Sequence, residues 1–289
     1  MHIIIGAAGQ VGSQIVRELH RKGEPVTAVI RNKESAVPGA GIETRIADLS
    51  DGPALRKIFR EGRTVFLLTP ENPSSIDVIG DTQKILANYH EAIRDSGISK
   101  IVGLSSMGAQ HPSGTGNLVM SYLLEHAFAD IPVQKVFIRP AYYYSNWLGF
   151  GEIAKETGIL PSFLPVNLKI PMTAPSDVAG FIGSVLMDRK TESRTLEIAG
   201  PSLYSPSDVA NIFSNRFQKP VTAHQIPREQ WKESLLNAGF SENASDNLIL
   251  MTQAVIDGKA RPELPDDKVI RLQTSLEDFL SGKPENSHD

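Results

Sequence analysis

Residues 2–12 read His2-Ile3-Ile4-Ile5-Gly6-Ala7-Ala8-Gly9-Gln10-Val11-Gly12. A short apolar run is interrupted by three glycines spaced three apart, and a helix-compatible stretch, Ser13 to Lys22, follows. A buried strand that passes through a glycine turn into a helix presents free backbone N–H groups to a phosphate. The spacing Gly6-x-x-Gly9-x-x-Gly12 is a variant of the dinucleotide fingerprint G-x-G-x-x-G, and the same physics applies. Gly6 allows a sharp exit from the strand, Gly9 lets a pyrophosphate approach the backbone, and Gly12 permits close packing of helix on sheet. Gly6, Ala8, Gly9, Gln10, Val11 and Gly12 are therefore candidate cofactor-binding residues.

The rest of the first half repeats this alternation. Strand-like runs occupy Val26–Ile30, Thr44–Ala47, Thr64–Leu68, Lys100–Leu104 and Gln134–Arg139, and helix-like stretches Pro53–Arg60, Ile76–Ser96 and Asn117–Ala129 lie among them. Alternating strands and helices imply an α/β fold, a doubly wound parallel sheet of Rossmann type. Its crevice opens at the carboxyl ends of the strands, where Gly6, Arg31, Asp48, Thr69, Ser105 and Arg139 are expected. The second half is less regular. Tyr142–Met172 is rich in aromatics, Gly and Pro, and Ser176-Asp177 and Ser205-Pro206-Ser207-Asp208 read as helix starts. Thr195–Ala199 reads as a strand, Arg228–Ala238, Asn247–Asp257 and Ser275–Leu280 as helices, and Gly282–Asp289 as a polar, frayed tail. The expected organisation is a dinucleotide-binding domain over 1–145 and a smaller, partly interleaved α/β domain over 146–289.

Composition narrows the function classes. With 40% hydrophobic and 21% charged residues over 289 positions, the chain is ordinary globular material with ample core. A net charge of -4 gives no electrostatic case for nucleic acid or an anionic membrane. The absence of cysteine excludes disulfides, thiolate nucleophiles and cysteine metal sites, and suits a cytoplasmic protein. No apolar run approaches the ~20 residues that span a bilayer, and an N-terminal strand leaves no room for a signal peptide.

The second strand ends Ala28-Val29-Ile30 and is followed by Arg31, where an NAD-binding unit usually carries Asp or Glu for the ribose 2′-OH. A guanidinium there grips a 2′-phosphate, so NADP(H) is favoured over NAD(H). Asp48-Leu49 would flank the adenine and Thr69-Pro70 the nicotinamide ribose. The Tyr-x-x-x-Lys acid of short-chain dehydrogenases is absent, because no tyrosine here has a lysine four residues on. Ser105 and Tyr142 are the candidate catalytic residues that remain. Tyr142 and Tyr143, within an aromatic run that includes Tyr144, Trp147 and Phe150, are candidate substrate contacts. His111, in the loop Gly108–Gly116, reads as a surface histidine.

Several of these segments together carry a family resemblance: Gly6–Gly12, Val29-Ile30-Arg31-Asn32, Ala47-Asp48-Leu49, Leu68-Thr69-Pro70, Ile138-Arg139-Pro140-Ala141-Tyr142-Tyr143, Asn146, Ser176-Asp177-Val178-Ala179 and Ser275-Leu276-Glu277-Asp278-Phe279. Over nearly its whole length the chain resembles the NmrA-like atypical short-chain dehydrogenase/reductases, in particular the quinone- and azo-reductase-like branch. The resemblance implies a Rossmann domain with a small C-terminal domain and a substrate cleft between them. It implies hydride transfer from NADPH or NADH to a small-molecule electron acceptor, with no metal and no flavin. Other members bind the dinucleotide as redox sensors and act through a protein partner. The chain departs from the family at two places. Ala7-Ala8 stands where Ala-Thr is usual, and the tyrosine and lysine positions hold Asn117 and Ser121, although Glu125 is kept. The missing pair disfavours alcohol oxidation, and nucleotide-sugar epimerase or isoflavone-reductase chemistry, more than quinone reduction, whose anionic product water can protonate. The oligomeric state has no sequence signal.

Overall fold

The computed structural model describes residues 1–35, 41–189 and 192–281; the predicted frayed tail lies outside them. The first half contains β1 (His2–Ile5), α1 (Gln10–Arg21), β2 (Val26–Ile30), β3 (Glu43–Ile46), α2 (Gly52–Phe59), β4 (Thr64–Leu68), α3 (Val78–Arg94), β5 (Lys100–Leu104), α4 (Leu118–His126) and β6 (Gln134–Pro140). The second half contains β7 (Tyr142–Tyr143), α5 (Gly151–Thr157), β8 (Ile159–Ser162), β9 (Ile170–Thr173), α6 (Pro175–Met187), β10 (Arg194–Ala199), β11 (Leu203–Tyr204), α7 (Pro206–Phe217), β12 (Thr222–Gln225), α8 (Trp231–Asn237), α9 (Glu242–Ile256), β13 (Ile270–Arg271) and α10 (Leu276–Ser281).

Eight strands form one sheet in the order β13-β10-β6-β5-β4-β1-β2-β3, and every pairing in it is parallel. Side chains alternate between two covered faces, which is why β1, β2 and β4 are largely apolar rather than alternating. Ile4, Phe66, Val102 and Val136 point to one face, against Ile15, Val16 and Leu19 of α1 and Val178 and Ile182 of α6. Ile3, Ile5, Val65, Leu67 and Ile101 point to the other, against Leu55 and Phe59 of α2, Leu86 and Tyr89 of α3 and Leu124 of α4. Both faces are covered, which makes the sheet doubly wound.

The chain beyond residue 146 is split between two places. α6, β10 and β13 return to the central sheet. The other elements build a smaller lobe on Trp147, Leu160, Met172, Tyr204, Phe213 and Leu276, with a three-stranded β11-β9-β7 sheet and a two-stranded β12-β8 sheet. No described helix is long and apolar enough to cross a membrane.

Local signals in this half have mixed outcomes. Ser205 caps α7 through a full capping box with Asp208. Ser176-Asp177 does not cap α6, because Ala174 is the cap residue and Pro175 opens the helix. The Asp177 carboxylate instead accepts from the Thr274 N–H at 2.9 Å and its hydroxyl at 2.6 Å, tying the C-terminal segment to α6. α9 starts five residues before the expected Asn247, on a Ser241 cap. Its first turn, Glu242-Asn243-Ala244-Ser245-Asp246, carries no apolar stripe by which the sequence could show it.

Candidate functional site

The site begins at the glycine turn. Gly6 takes φ +65°, a conformation that favours glycine, and the Gly9 N–H closes the turn on the Gly6 carbonyl at 2.9 Å. α1 starts at Gln10 with Gly9 as its cap residue, no side-chain cap and no acidic residue in its first turn. Its leading N–H groups and positive dipole end are therefore left for an anion. A Cβ on Gly12 would lie 2.3 Å from the Gly6 carbonyl oxygen, so glycine is required for the helix to sit this close to the strand exit.

The turn forms one end of a cleft of about 720 Å³ lined by Gly6, Ala8, Gly9, Arg31, Asp48, Leu49 and Pro70, among others. Four of the residues chosen from sequence stand outside that lining; Thr69 lines the neighbouring chamber, and the other three are Gln10, Val11 and Gly12. Val11 is buried in the core, Gly12 is buried beneath the turn, and the Gln10 side-chain oxygen accepts from the Ser145 hydroxyl at 3.1 Å. These three face the turn only through their backbone. Asp48 is held in place by Ser50, whose hydroxyl and N–H donate at 2.6 and 2.8 Å. Those bonds, with a smaller contribution from the charge of Arg31, hold its carboxyl below the usual range. Arg31 is exposed at the edge of the cleft. The wall formed by Pro73, Ser75, Val78, Thr82 and Ile85 was missed by sequence reasoning. Its signal was the loop after β4, which the Asp77 cap of α3 turns back over the strand ends.

A second chamber, of about 570 Å³, adjoins the first. Thr69, Ser105, Ser106 and Ser121 line one side of it, and Leu248, Met251 and Val255 of α9 contribute an apolar face. Tyr142, Tyr143, Trp147 and Phe150 supply an aromatic wall, with the Tyr142 and Trp147 rings 6.0 Å apart. Burial pushes the Tyr142 phenol up to about 12, against an opposing hydrogen bond from Asn146. Burial likewise raises Tyr143, whose hydroxyl is buried without a hydrogen-bond partner. Tyr144 does not belong to this wall. The chain leaves β7 through a tight 3-10 turn that sends Tyr144 into the small lobe, edge-on to Tyr204 at 5.8 Å. The two chambers share two lining residues, Leu68 and Glu71.

Ser105 lines the second chamber and is also bonded to the frame. The Ser105 hydroxyl donates to Glu125 at 2.5 Å. Arg139 lies inside β6 and does not face the crevice. It makes a two-pronged contact with Glu125 at 2.7 and 2.8 Å, reaches Glu263 at 2.6 Å and lies 3.5 Å from Glu197. Glu197 in turn accepts the N–H groups of Glu263 and Leu264 at 3.0 and 2.9 Å. Burial opposes the charge on Arg139, but the hydrogen bonds from its guanidinium to Glu125 and Glu263 outweigh it and raise the pKa. His111 is half-exposed and lines neither chamber.

Known proteins share this architecture. The NmrA-like family model matches residues 2–264. The NAD(P)H azoreductase of Xenophilus azovorans is 23% identical over 251 residues, covering 85% of this chain and 84% of the relative. Quinone oxidoreductase 2 of Escherichia coli K12 is 23% identical over 252 residues, covering 86% and 85%. Among solved structures, the NADPH-dependent quinone oxidoreductase of Escherichia coli complexed with NADPH superimposes with a TM-score of 0.83 at 22% identity, covering 98% of this chain and 99% of that one. The triphenylmethane reductase of Citrobacter sp. complexed with NADP(H) gives 0.82 at 22% identity, with the same coverage. With a family match running from the first strand to the loop that anchors Arg139, the chain belongs to the NmrA-like family.

Proposed function

We propose that the protein is an NAD(P)H-dependent reductase of a flat, electrophilic small molecule such as a quinone or azo compound, and that NADPH is its preferred cofactor. The observation that carries this reading is the junction of the two chambers at Leu68 and Glu71. An anion-ready glycine turn opens there directly onto an aromatic, largely apolar chamber. The residues fit a dinucleotide. The uncapped N-terminus of α1 holds the pyrophosphate, Arg31 the 2′-phosphate, Asp48-Leu49 the adenosine end and Thr69-Pro70 the nicotinamide ribose. When bound, the dinucleotide supplies a hydride. Tyr142, Tyr143 and Trp147 hold the acceptor by stacking, so that the reaction depends on position. The cysteine-free chain suits the reducing cytoplasm.

The test is NADPH oxidation with menadione or dichlorophenolindophenol as acceptor, where turnover is the expected result. Tight NADP binding with no turnover on any acceptor would instead favour a redox sensor that works through a protein partner, the reading suggested by Asn117 and Ser121. Arg31→Ala tests cofactor choice separately. Loss of a charge-assisted phosphate contact, worth about 1.5–3 kcal/mol, should weaken NADPH binding about 10- to 100-fold and leave NADH binding unchanged. Fluorescence titration of both cofactors measures it, and an unchanged preference rules out this role for Arg31.

A further inference from the structure

α9 bears on both chambers. Leu248, Met251, Thr252 and Val255, spaced i, i+3, i+4 and i+7 on one face of the helix, line the second. The start of α9 meets the segment between β4 and α3, whose Pro73 and Ser75, with Val78, line the first. The Ser241 N–H donates to the Pro73 carbonyl at 2.8 Å, and the Ser241 hydroxyl donates to the Ser75 carbonyl. In return, the Asn243 side-chain oxygen accepts the Val78 N–H at 2.9 Å. Val78 is the first residue of α3 and is buried, so its N–H has no partner within its own helix and little access to water. Asn243 supplies that partner from 165 residues away and lines neither chamber itself.

Further along, α9 is seated by shape. Gly116 packs against the backbone of Asn247 and Met251 too closely for any Cβ, and Ala244 packs on Val78 and Met120. Thr115, beside that glycine, and Ser245, just before Asn247, are 1% and 0% exposed, and their hydroxyl oxygens have no hydrogen-bond partner. Polar bonding therefore does not fix the helix at this seat. Ser241 and Asn243 fix it at its start.

We propose that Asn243 is a positioning residue of the second chamber, holding the apolar face of α9 in register with the wall of the first, so that filling the first chamber orders the second. That the occupant of the second chamber is an electron acceptor rests on the reductase reading; the link between the chambers does not. A dinucleotide seated in the first chamber restrains Pro73, Ser75 and Val78. The bonds to Ser241 and Asn243 pass that restraint to α9, which carries Leu248, Met251 and Val255 as one rigid body. Each occupant then favours the other by the same factor, because coupled binding free energies are reciprocal. Asn243→Ala leaves the buried Val78 N–H unpaired, whereas Asn243→Asp keeps an acceptor oxygen in its place.

Hydrogen–deuterium exchange of the α9 amides with and without NADP tests this, beside the kinetics of NADPH oxidation with menadione. NADP should slow exchange over residues 248–255 in the wild type and in Asn243→Asp, and leave it unchanged in Asn243→Ala. In Asn243→Ala the menadione KM should rise about tenfold, a coupling of ordinary size, while kcat at saturating menadione is nearly kept. Lys232→Ala is the control. It breaks the pairs that α8 makes with Glu242 and Asp246 at 2.6 and 2.9 Å. The start of α9 is loosened there without touching Asn243, so both readouts should stay at their wild-type values. Thermal unfolding without ligand shows that each variant is folded. NADP that protects residues 72–78 but not α9 overturns the proposal in the wild type alone, with no variant needed. Protection of α9 that survives Asn243→Ala also overturns it, as does a KM that rises equally in Lys232→Ala. A wild type whose α9 is protected by NADP but which reduces no quinone overturns the reductase reading and leaves the link standing. A wild type in which NADP protects neither segment overturns both.

Discussion

Arg139→Leu should cost about 3–5 kcal/mol of folding stability, measured by urea or thermal unfolding. Breaking a buried ion pair by removing one partner leaves an uncompensated charge, and the penalty is of that size. The Arg139 side chain is 7% exposed and faces Glu125 and Glu197, at 6% and 0%. The loss should be visible beyond global stability. Glu263 and Leu264 are pinned by Glu197, and Glu263 also by Arg139. The preceding residues, Ala260 and Arg261, line the second chamber, where the proposed acceptor would sit. Apparent KM for a quinone should therefore rise in any variant that still folds. Arg139→Met combined with Glu125→Leu should recover part of the stability, because a well-packed apolar pair avoids the desolvation cost. If the single substitution costs less than about 1 kcal/mol, the cluster is not the clamp described here.

Gly12→Ala should be the most damaging single-methyl change at the glycine turn. The added carbon would lie 2.3 Å from the Gly6 oxygen, 2.9 Å from the Gly6 carbonyl carbon and 3.1 Å from the Ala7 Cα. All three are backbone atoms, so no rotamer change relieves the contact and α1 must move away from the turn. Overpacking of this kind costs about 1–3 kcal/mol. Displacement of the helix amides removes charge-assisted bonds worth about 1.5–3 kcal/mol each, so NADPH affinity should fall at least about tenfold. Gly180→Ala provides the contrast. Gly180 lies on the exposed side of α6 with nothing within 4 Å of an added Cβ, and alanine there should stabilise by about 0.5–1 kcal/mol. Calorimetry of both variants with and without NADPH separates helix propensity from the contact at the turn.

Most of the fold was legible because its signals are local. The strand, glycine turn and helix at the N-terminus occupy adjacent residues, and apolar runs separated by helix-period stretches can only close as a parallel sheet covered on both faces. The Ser205 cap was legible for the same reason, since its partner Asp208 is three residues away. Arg31, Asp48, Leu49 and Pro70 were placed at the cleft by a rule that needs only the ends of the strands. The separate course of Tyr144 was not legible, because a run of three tyrosines carries no mark of where β7 ends and the 3-10 turn begins. The bond that Asp177 makes was not legible because its partner Thr274 is 97 residues away.

The sequence by itself therefore determined the sheet, the glycine turn and the absence of a tyrosine–lysine acid. Each depends on spacing within one element or on residue type alone. Only the tertiary structure decided which polar groups are spent and which are free. It brings Ser105, Glu125, Arg139 and Glu197 into one buried cluster, with the exposed Glu263 at its rim, across more than half the chain. It also leaves Glu71, an unremarked loop residue in the sequence, on the boundary of both chambers. The physical reason is that desolvation and charge pairing are set by what surrounds a side chain in space, and in this fold those surroundings come from strands and loops far apart in the chain.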